Sequence, residues 1–213
     1  MARRVAGRVP PELLHGPVRV IRPGDAGHVY RHPRAEFARL ARQGALHQLT
    51  PGYYAVVPDH LVGQQWLPDL EAAALGIAVA GAGVDDVALM GVSAARLHGA
   101  IPRALNVGVV ATARRRRAAT LSDRKGEIIF VTRDPHGLDL ERVQTELGSG
   151  WMTTVEQTIL DLAARPTLGD VPDETDAAVR GLLPRADLDL LHDLAVTQRR
   201  TATLQRVLAG DHA

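Results

Sequence analysis

The chain has 213 residues, 46% of them hydrophobic and 23% charged, so one large or two small globular domains can each bury a core. Aromatics make up only 3%, which leaves Leu, Val and Ala to build that core, and the absence of cysteine excludes disulfides, zinc–thiolate sites and thiol catalysis and fits a reducing cytoplasm. Net charge is +1, but it is unevenly spread: residues 1–58 hold nine Arg against Glu12, Asp25 and Glu36, whereas residues 59–213 hold 16 basic against 21 acidic residues. A basic first quarter on an acidic remainder predicts a nucleic-acid-binding module, residues 1–58, joined to a second domain, residues 59–213.

Arg3 and Arg4 are followed by no apolar run of signal-peptide type. Pro10–Gly16 reads as a short first helix, Val18–Ile21 as a small strand, and Asp25–Tyr30 as a second helix. Pro33 is suited to the first position of a third helix. In it, Phe37, Leu40 and Ala41 repeat at helical spacing while Arg39, Arg42 and Gln43 fall on the other side. Gly44 is placed to end it. Leu46–Leu49 and Tyr53–Val57 are extended runs joined by Thr50-Pro51-Gly52-Tyr53, which has the Pro and Gly of a type II turn. Helix, strand, helix, helix, hairpin is the order of a winged helix-turn-helix. In that fold the last helix enters the major groove and the hairpin follows the backbone. The expected DNA contacts are Arg31, Arg34, Arg39, Arg42 and Gln43, with Gln48 and Tyr53 from the wing.

Beyond Pro58, residues 59–68 read as a connection and Leu70–Ala80 as a buried helix. The longest apolar run, Ala72–Val84, is too short and glycine-rich to span a bilayer. Asp85 and Asp86 are suited to start a helix running to about His98. Residues 104–110 and 127–131 are β-rich and are expected to pair, with Arg114–Arg117 in a polar connection between them. Leu138–Leu147 reads as a helix. Thr153 and Thr154, with Glu156 and Gln157 three residues on, predict the capped start of another. Two or three amphipathic helices are expected over 176–208. The fold class is therefore α+β: a winged helix-turn-helix, then a mixed α/β domain.

Few motifs suggest chemistry. Gly91-Val92-Ser93-Ala94-Ala95 approaches the nucleophile elbow, but the surrounding pattern favours a continuous helix. The nine histidines show no zinc spacing, and Asp123-x-Lys125 lacks the further acidic partners of a nuclease site. There is no phosphate-binding P-loop and no kinase signature, and Gly81-Ala82-Gly83 follows a helix-like run rather than a strand. No cofactor and no metal is expected. The four arginines 114–117 leave three readings open: phosphate contacts, docking of an acidic partner, or a solvated loop.

Three stretches carry a family resemblance. They are Leu40–Ala55, Ser93-Ala94-Ala95-Arg96-Leu97-His98-Gly99-Ala100 and Thr153-Thr154-Val155-Glu156-Gln157-Thr158-Ile159-Leu160-Asp161-Leu162. In order and spacing the chain resembles the AbiEi-type antitoxins of type IV toxin–antitoxin modules. The resemblance implies a winged-helix domain that represses its own operon by binding operator DNA; a homodimer on DNA is expected because a single winged helix buries little surface. It also implies a C-terminal domain that neutralises a co-encoded nucleotidyltransferase toxin. The wing departs from the family's in having His47 and Gln48 where arginines are expected. Arg96, His98 and Arg114, Arg115, Arg116 and Arg117 are the candidate toxin or nucleic-acid contacts. Two other functions stay open: covalent modification of the toxin by a kinase-like activity, and plain ligand-sensing transcriptional regulation.

Overall fold

The computed structural model describes residues 8–210, which form two β-sheets and seven α-helices. Arg3 and Arg4 lie outside the described residues. The first sheet is small. Its strands β1 (Val20–Ile21), β2 (Leu46–Thr50) and β3 (Tyr53–Val56) are antiparallel in the order β1-β3-β2. Gly52, at φ 84°, supplies the left-handed residue that the turn between β2 and β3 requires. Helix α1 (Pro33–Arg42) precedes the hairpin, and Gly44 at φ 75° ends it. The sheet has an apolar residue set on each face. Leu46 and Val56 pack with Phe37 and Leu40 of α1, while Val20, Leu49 and Ala55 face the opposite way into the main core. A bulge leaves Leu49 without a partner on β3.

Two expected helices in this region are not formed. Residues 10–16 hold only a 3-10 turn, Pro11–Leu13. Residues 25–30 hold the end of another, Pro23–Asp25, and turns closed on the Ala26 carbonyl by the Val29 and Tyr30 amides. Gly24 and Gly27 in so short a segment leave too little to offset the cost of nucleating a helix.

The second sheet has six strands in the order β6-β7-β5-β4-β9-β8. They are β4 (Val87–Leu89), β5 (Val107–Thr112), β6 (Ala119–Thr120), β7 (Glu127–Thr132), β8 (Leu140–Thr145) and β9 (Gly148–Thr153). The expected pairing of the two β-rich runs is seen as parallel β5 and β7. The single helix expected over 85–98 is instead the buried strand β4 followed by α3 (Gly91–Leu97), with Gly91 at φ 55° making the break. A fully buried three-residue strand has no periodicity that separates it from a helix. The helix expected over 138–147 is instead the edge strand β8, hydrogen-bonded to β9. Its exposed Glu141, Arg142 and Gln144 resemble a helix surface, and only the long-range pairing decides the matter.

Helix α2 (Leu70–Ala82) lies between the two sheets. Every residue from Leu70 to Val79 is buried, including Glu71. Gly76 faces Val20 of the small sheet, while Ala74 and Leu75 meet Gly108 and Gly150 of the large one. On the other side of the large sheet lie α3 and α4 (Val155–Ala164), backed by α5 (Pro172–Leu182), α6 (Leu188–Thr197) and α7 (Thr201–Ala209). The Thr154 hydroxyl accepts the Gln157 amide at 3.3 Å and starts α4 as expected.

Backbone hydrogen bonds also join the two parts. The Arg19 amide donates to Leu147 O (2.6 Å), Ser149 N donates to Pro17 O (3.1 Å), and Ser122 N donates to Leu49 O (2.7 Å). Val18 bridges Gly148, which sits at φ 125° where a Cβ would collide with the Pro17 carbonyl. Gly148→Ala is therefore expected to destabilise the protein by about 2 kcal/mol or more, from backbone strain plus displacement of the 17–19 segment. The check is a lowered urea midpoint at unchanged slope.

Candidate functional site

One side of α1 is fixed by burial. Phe37 and Leu40 are fully buried, and Tyr30 and Tyr54 meet the Phe37 ring edge-on at 6.4 and 5.3 Å. The opposite side is exposed and carries Arg34, Arg39, Arg42 and Gln43, with Arg31 exposed just before the helix. Arg39 is bound within the helix, to Glu36 at 2.8 Å and to Gln43 Oε1 at 2.9 Å, and Arg42 donates to Ala38 O at 3.3 Å. Among the described residues, Arg31 and Arg34 form no side-chain hydrogen bond or ion pair. They line one wall of an open groove whose other wall is Pro23 and Gly24. The site is a short basic helix face beside a hairpin with an exposed tip, Pro51 and Gly52.

The hairpin itself is engaged elsewhere. Gln48 is exposed, but Tyr53 is half-buried and turned toward the second part of the chain. Its hydroxyl accepts from Arg116 Nη2 at 3.3 Å, and the Arg22 guanidinium lies 5.8 Å from its ring centre. Thr50 donates to Thr120 O at 2.7 Å. His47 places Nε2 2.8 Å from the Asp123 carboxylate, which also accepts from Arg124, and meets Trp66 edge-on. The motif Asp123-x-Lys125 thus belongs to a loop that clasps the hairpin.

The four-arginine run lies in the connection from β5 to β6 and divides by role. Arg116 is half-buried, 4.0 Å over the Phe130 ring, and donates to Ala78 O at 3.3 Å as well as to Tyr53. Burial pushes its guanidinium below the usual range. Arg114, Arg115 and Arg117 are exposed, with no side-chain hydrogen bond or ion pair among the described residues.

The remaining candidates point inward. Arg96 Nε lies 3.0 Å from the buried Glu71 carboxylate, and Arg96 also donates to Arg103 O. The His98 side chain is 5% exposed, and its Nε2 donates to Thr153 O at 2.9 Å. Burial takes the His98 side chain out of the expected contact surface, while Arg96, though paired with Glu71, keeps 25% of its side chain exposed. Ser93 follows a strand after all, yet it is fully buried and its hydroxyl accepts the Val109 amide at 2.8 Å. An elbow nucleophile needs an exposed hydroxyl.

One polar cluster is only partly marked in the sequence, by Gln157 and Asp161 of the third stretch that carries the family resemblance. Asp161, 3% exposed, accepts from Arg200 (2.9 Å), Gln157 (3.0 Å) and Arg133, and Gln198 bonds both Arg133 and Gln157. Burial, then the neighbouring Arg133, lowers the Arg200 guanidinium. The cluster pins the α6–α7 junction to α4. Arg133, the pair Gln157 and Asp161, and the pair Gln198 and Arg200 are too far apart in sequence for spacing to show that they meet. Among the described residues, no group of three or more His, Asp or Glu is placed to hold a metal, and no helix is long and apolar enough to cross a membrane.

These features define an α+β protein with a basic helix face on a small sheet that is packed against a larger mixed sheet. No protein-family model matches the chain, and no curated protein matches it. Among solved structures, it is similar to the RV2827C protein from Mycobacterium tuberculosis, at 19% identity and a TM-score of 0.50. The match covers 98% of this chain and 84% of that one. The likeness is one of fold.

Asp123 offers a test of the contact between hairpin and loop. Burial alone would raise its carboxyl, but hydrogen bonds from His47 and Arg124 hold it at about 2 instead of 3.8. A depressed carboxyl stabilises the fold above its ordinary pKa, and that share is lost as pH falls from 3.8 toward about 2. Asp123→Asn is expected to cost about 1–3 kcal/mol at neutral pH. It should also flatten the acid dependence in that window, as measured by urea unfolding across pH.

Proposed function

We propose that the chain is a DNA-binding antitoxin whose first part is a winged helix-turn-helix. In this reading α1 is the recognition helix, β2–β3 is the wing, and the turns over 23–30 stand where the preceding helix lies in fuller versions of the motif. The observation that carries it is the division of α1 into a face buried through Phe37 and Leu40 and an exposed face of Arg34, Arg39, Arg42 and Gln43. Arginine and glutamine on a groove-sized helix suit both phosphates and base edges. Gln48 and the tip at Pro51–Gly52 face outward and suit the role of wing.

The antitoxin role rests on the three sequence stretches that resemble the AbiEi type. In this reading the second part opposes a co-encoded nucleotidyltransferase toxin, and the first part represses the operon. The shared core argues against testing the parts as fragments, because residues 59–213 alone would expose the face of α2 that packs on Val20.

The test therefore uses the full chain and the triple variant Arg34→Ala, Arg39→Ala, Arg42→Ala. Both are co-expressed with the neighbouring gene product, and both are assayed on the upstream DNA. The variant is expected to bind DNA at least tenfold more weakly, because up to three phosphates are no longer neutralised, while still rescuing growth. The recovered toxin is expected to keep its mass. A mass shift would favour the covalent-modification reading. Failure of the wild type to rescue growth against a confirmed toxin would sink the antitoxin role and leave a plain regulator.

A further inference from the structure

The basic helix face is not the end of the positive surface. β1 pairs with β3 so that Ile21 stands opposite Tyr54, which brings Arg22 to the turn end of the hairpin. There Arg22 lies over Tyr53, and the next residues, Pro23 and Gly24, form the groove wall opposite Arg31 and Arg34. Arg116 donates to the hydroxyl of the same Tyr53. The start of α1, Arg22, the hairpin turn and the arginine connection are thus gathered at one end of the small sheet, though they come from four separate stretches of chain.

Arg116 serves as the anchor. Its stack on Phe130 and its bonds to Ala78 O and Tyr53 fix the connection in place. Arg114, Arg115 and Arg117 flank this fixed point, exposed. Of the acids nearby, Asp25 is bonded to Arg22 at 2.8 Å and Asp123 to His47 and Arg124, while Asp86, whose carbonyl accepts the Ala113 amide, is exposed beside the start of the connection and offsets part of its charge. The exposed arginines, held beside Arg22 and Arg116, repel one another unless a polyanion lies across them.

We infer that Arg114, Arg115 and Arg117, contributed by the second part of the chain, bind the phosphate backbone of duplex DNA as an extension of the wing. The inference rests on the DNA-binding reading of α1. It makes the large sheet part of the DNA interface and lengthens the footprint past the hairpin tip.

The experiment measures affinity of the full chain for a mixed-sequence duplex of about two helical turns over roughly 50–200 mM salt. The variant is Arg114→Ala, Arg115→Ala, Arg117→Ala, in which all three changes are exposed and Arg116 is kept. The control is Arg180→Ala, Arg206→Ala, which removes exposed charge from α5 and α7. The slope of log affinity against log salt is expected to shrink by about 0.9 for each phosphate that is no longer neutralised, up to about three phosphates in all, with the control unchanged. Wild-type binding with an unchanged slope in the triple variant overturns the inference and leaves α1 as the DNA-binding element. An equal fall in slope per charge removed in the control also overturns it, since net charge would then explain the effect. Absence of wild-type binding overturns both readings.

Discussion

Helix α2 is the element on which the arrangement depends. A helix with one apolar stripe can cover one sheet; α2 is buried from Leu70 to Val79 on every side and is covered by two. Its small residues make that possible. Gly76 admits Val20, and Ala74 lies against Gly108, so both sheets approach the helix axis closely. The cost is one buried acid, Glu71, whose charge faces Arg96 Nε at 3.0 Å although its Oε1 takes no hydrogen bond among the described residues. Because the small sheet closes one face of α2, it is part of the main core, and its orientation relative to the large sheet is set by packing.

That fixed orientation changes what the hairpin can do. A wing on a free domain can adapt to the backbone it follows. Here Thr50, His47 and Tyr53 are each bonded to the β5–β6–β7 region, while the turn and Gln48 stay exposed. The arginine connection is held beside Tyr53 through Arg116. Charge near the hairpin, sparse within β2 itself because His47 and Gln48 stand there, is supplied by Arg114–Arg117 from far along the chain.

Local signals in the sequence proved legible where local physics decides. Pro33 and Gly44 bound α1, Pro51-Gly52 makes the turn, and Thr154 caps α4 on Gln157. The basic face of α1 was legible for the same reason, since helical spacing alone separates Arg39 and Arg42 from Phe37 and Leu40. Long-range pairing was not. β4 and β8 read as helix because one is too buried and the other too exposed to show a strand period. Charge also reads poorly without contacts: Arg116 and Arg114 are indistinguishable in sequence, yet one is an anchor over Phe130 and the other is exposed.

The segments behind the family resemblance illustrate the same divide. Ser93 holds the Val109 amide, His98 holds the Thr153 carbonyl, and the Thr153 hydroxyl lies 2.7 Å from that of Thr158. Gln157 and Asp161 belong to the cluster that fastens the C-terminal helices. These residues join α3, β9, α4 and the last two helices from within, and none presents a surface. A pattern built from them is selected by the requirements of the fold, so shared occurrence argues first for shared architecture. A partner is recognised by exposed residues instead. Around the small sheet, among the described residues, the exposed basic residues without an internal partner include Arg31, Arg34 and the arginines that flank Arg116, together with Arg19 beside β1 and Lys125 in the loop against the hairpin.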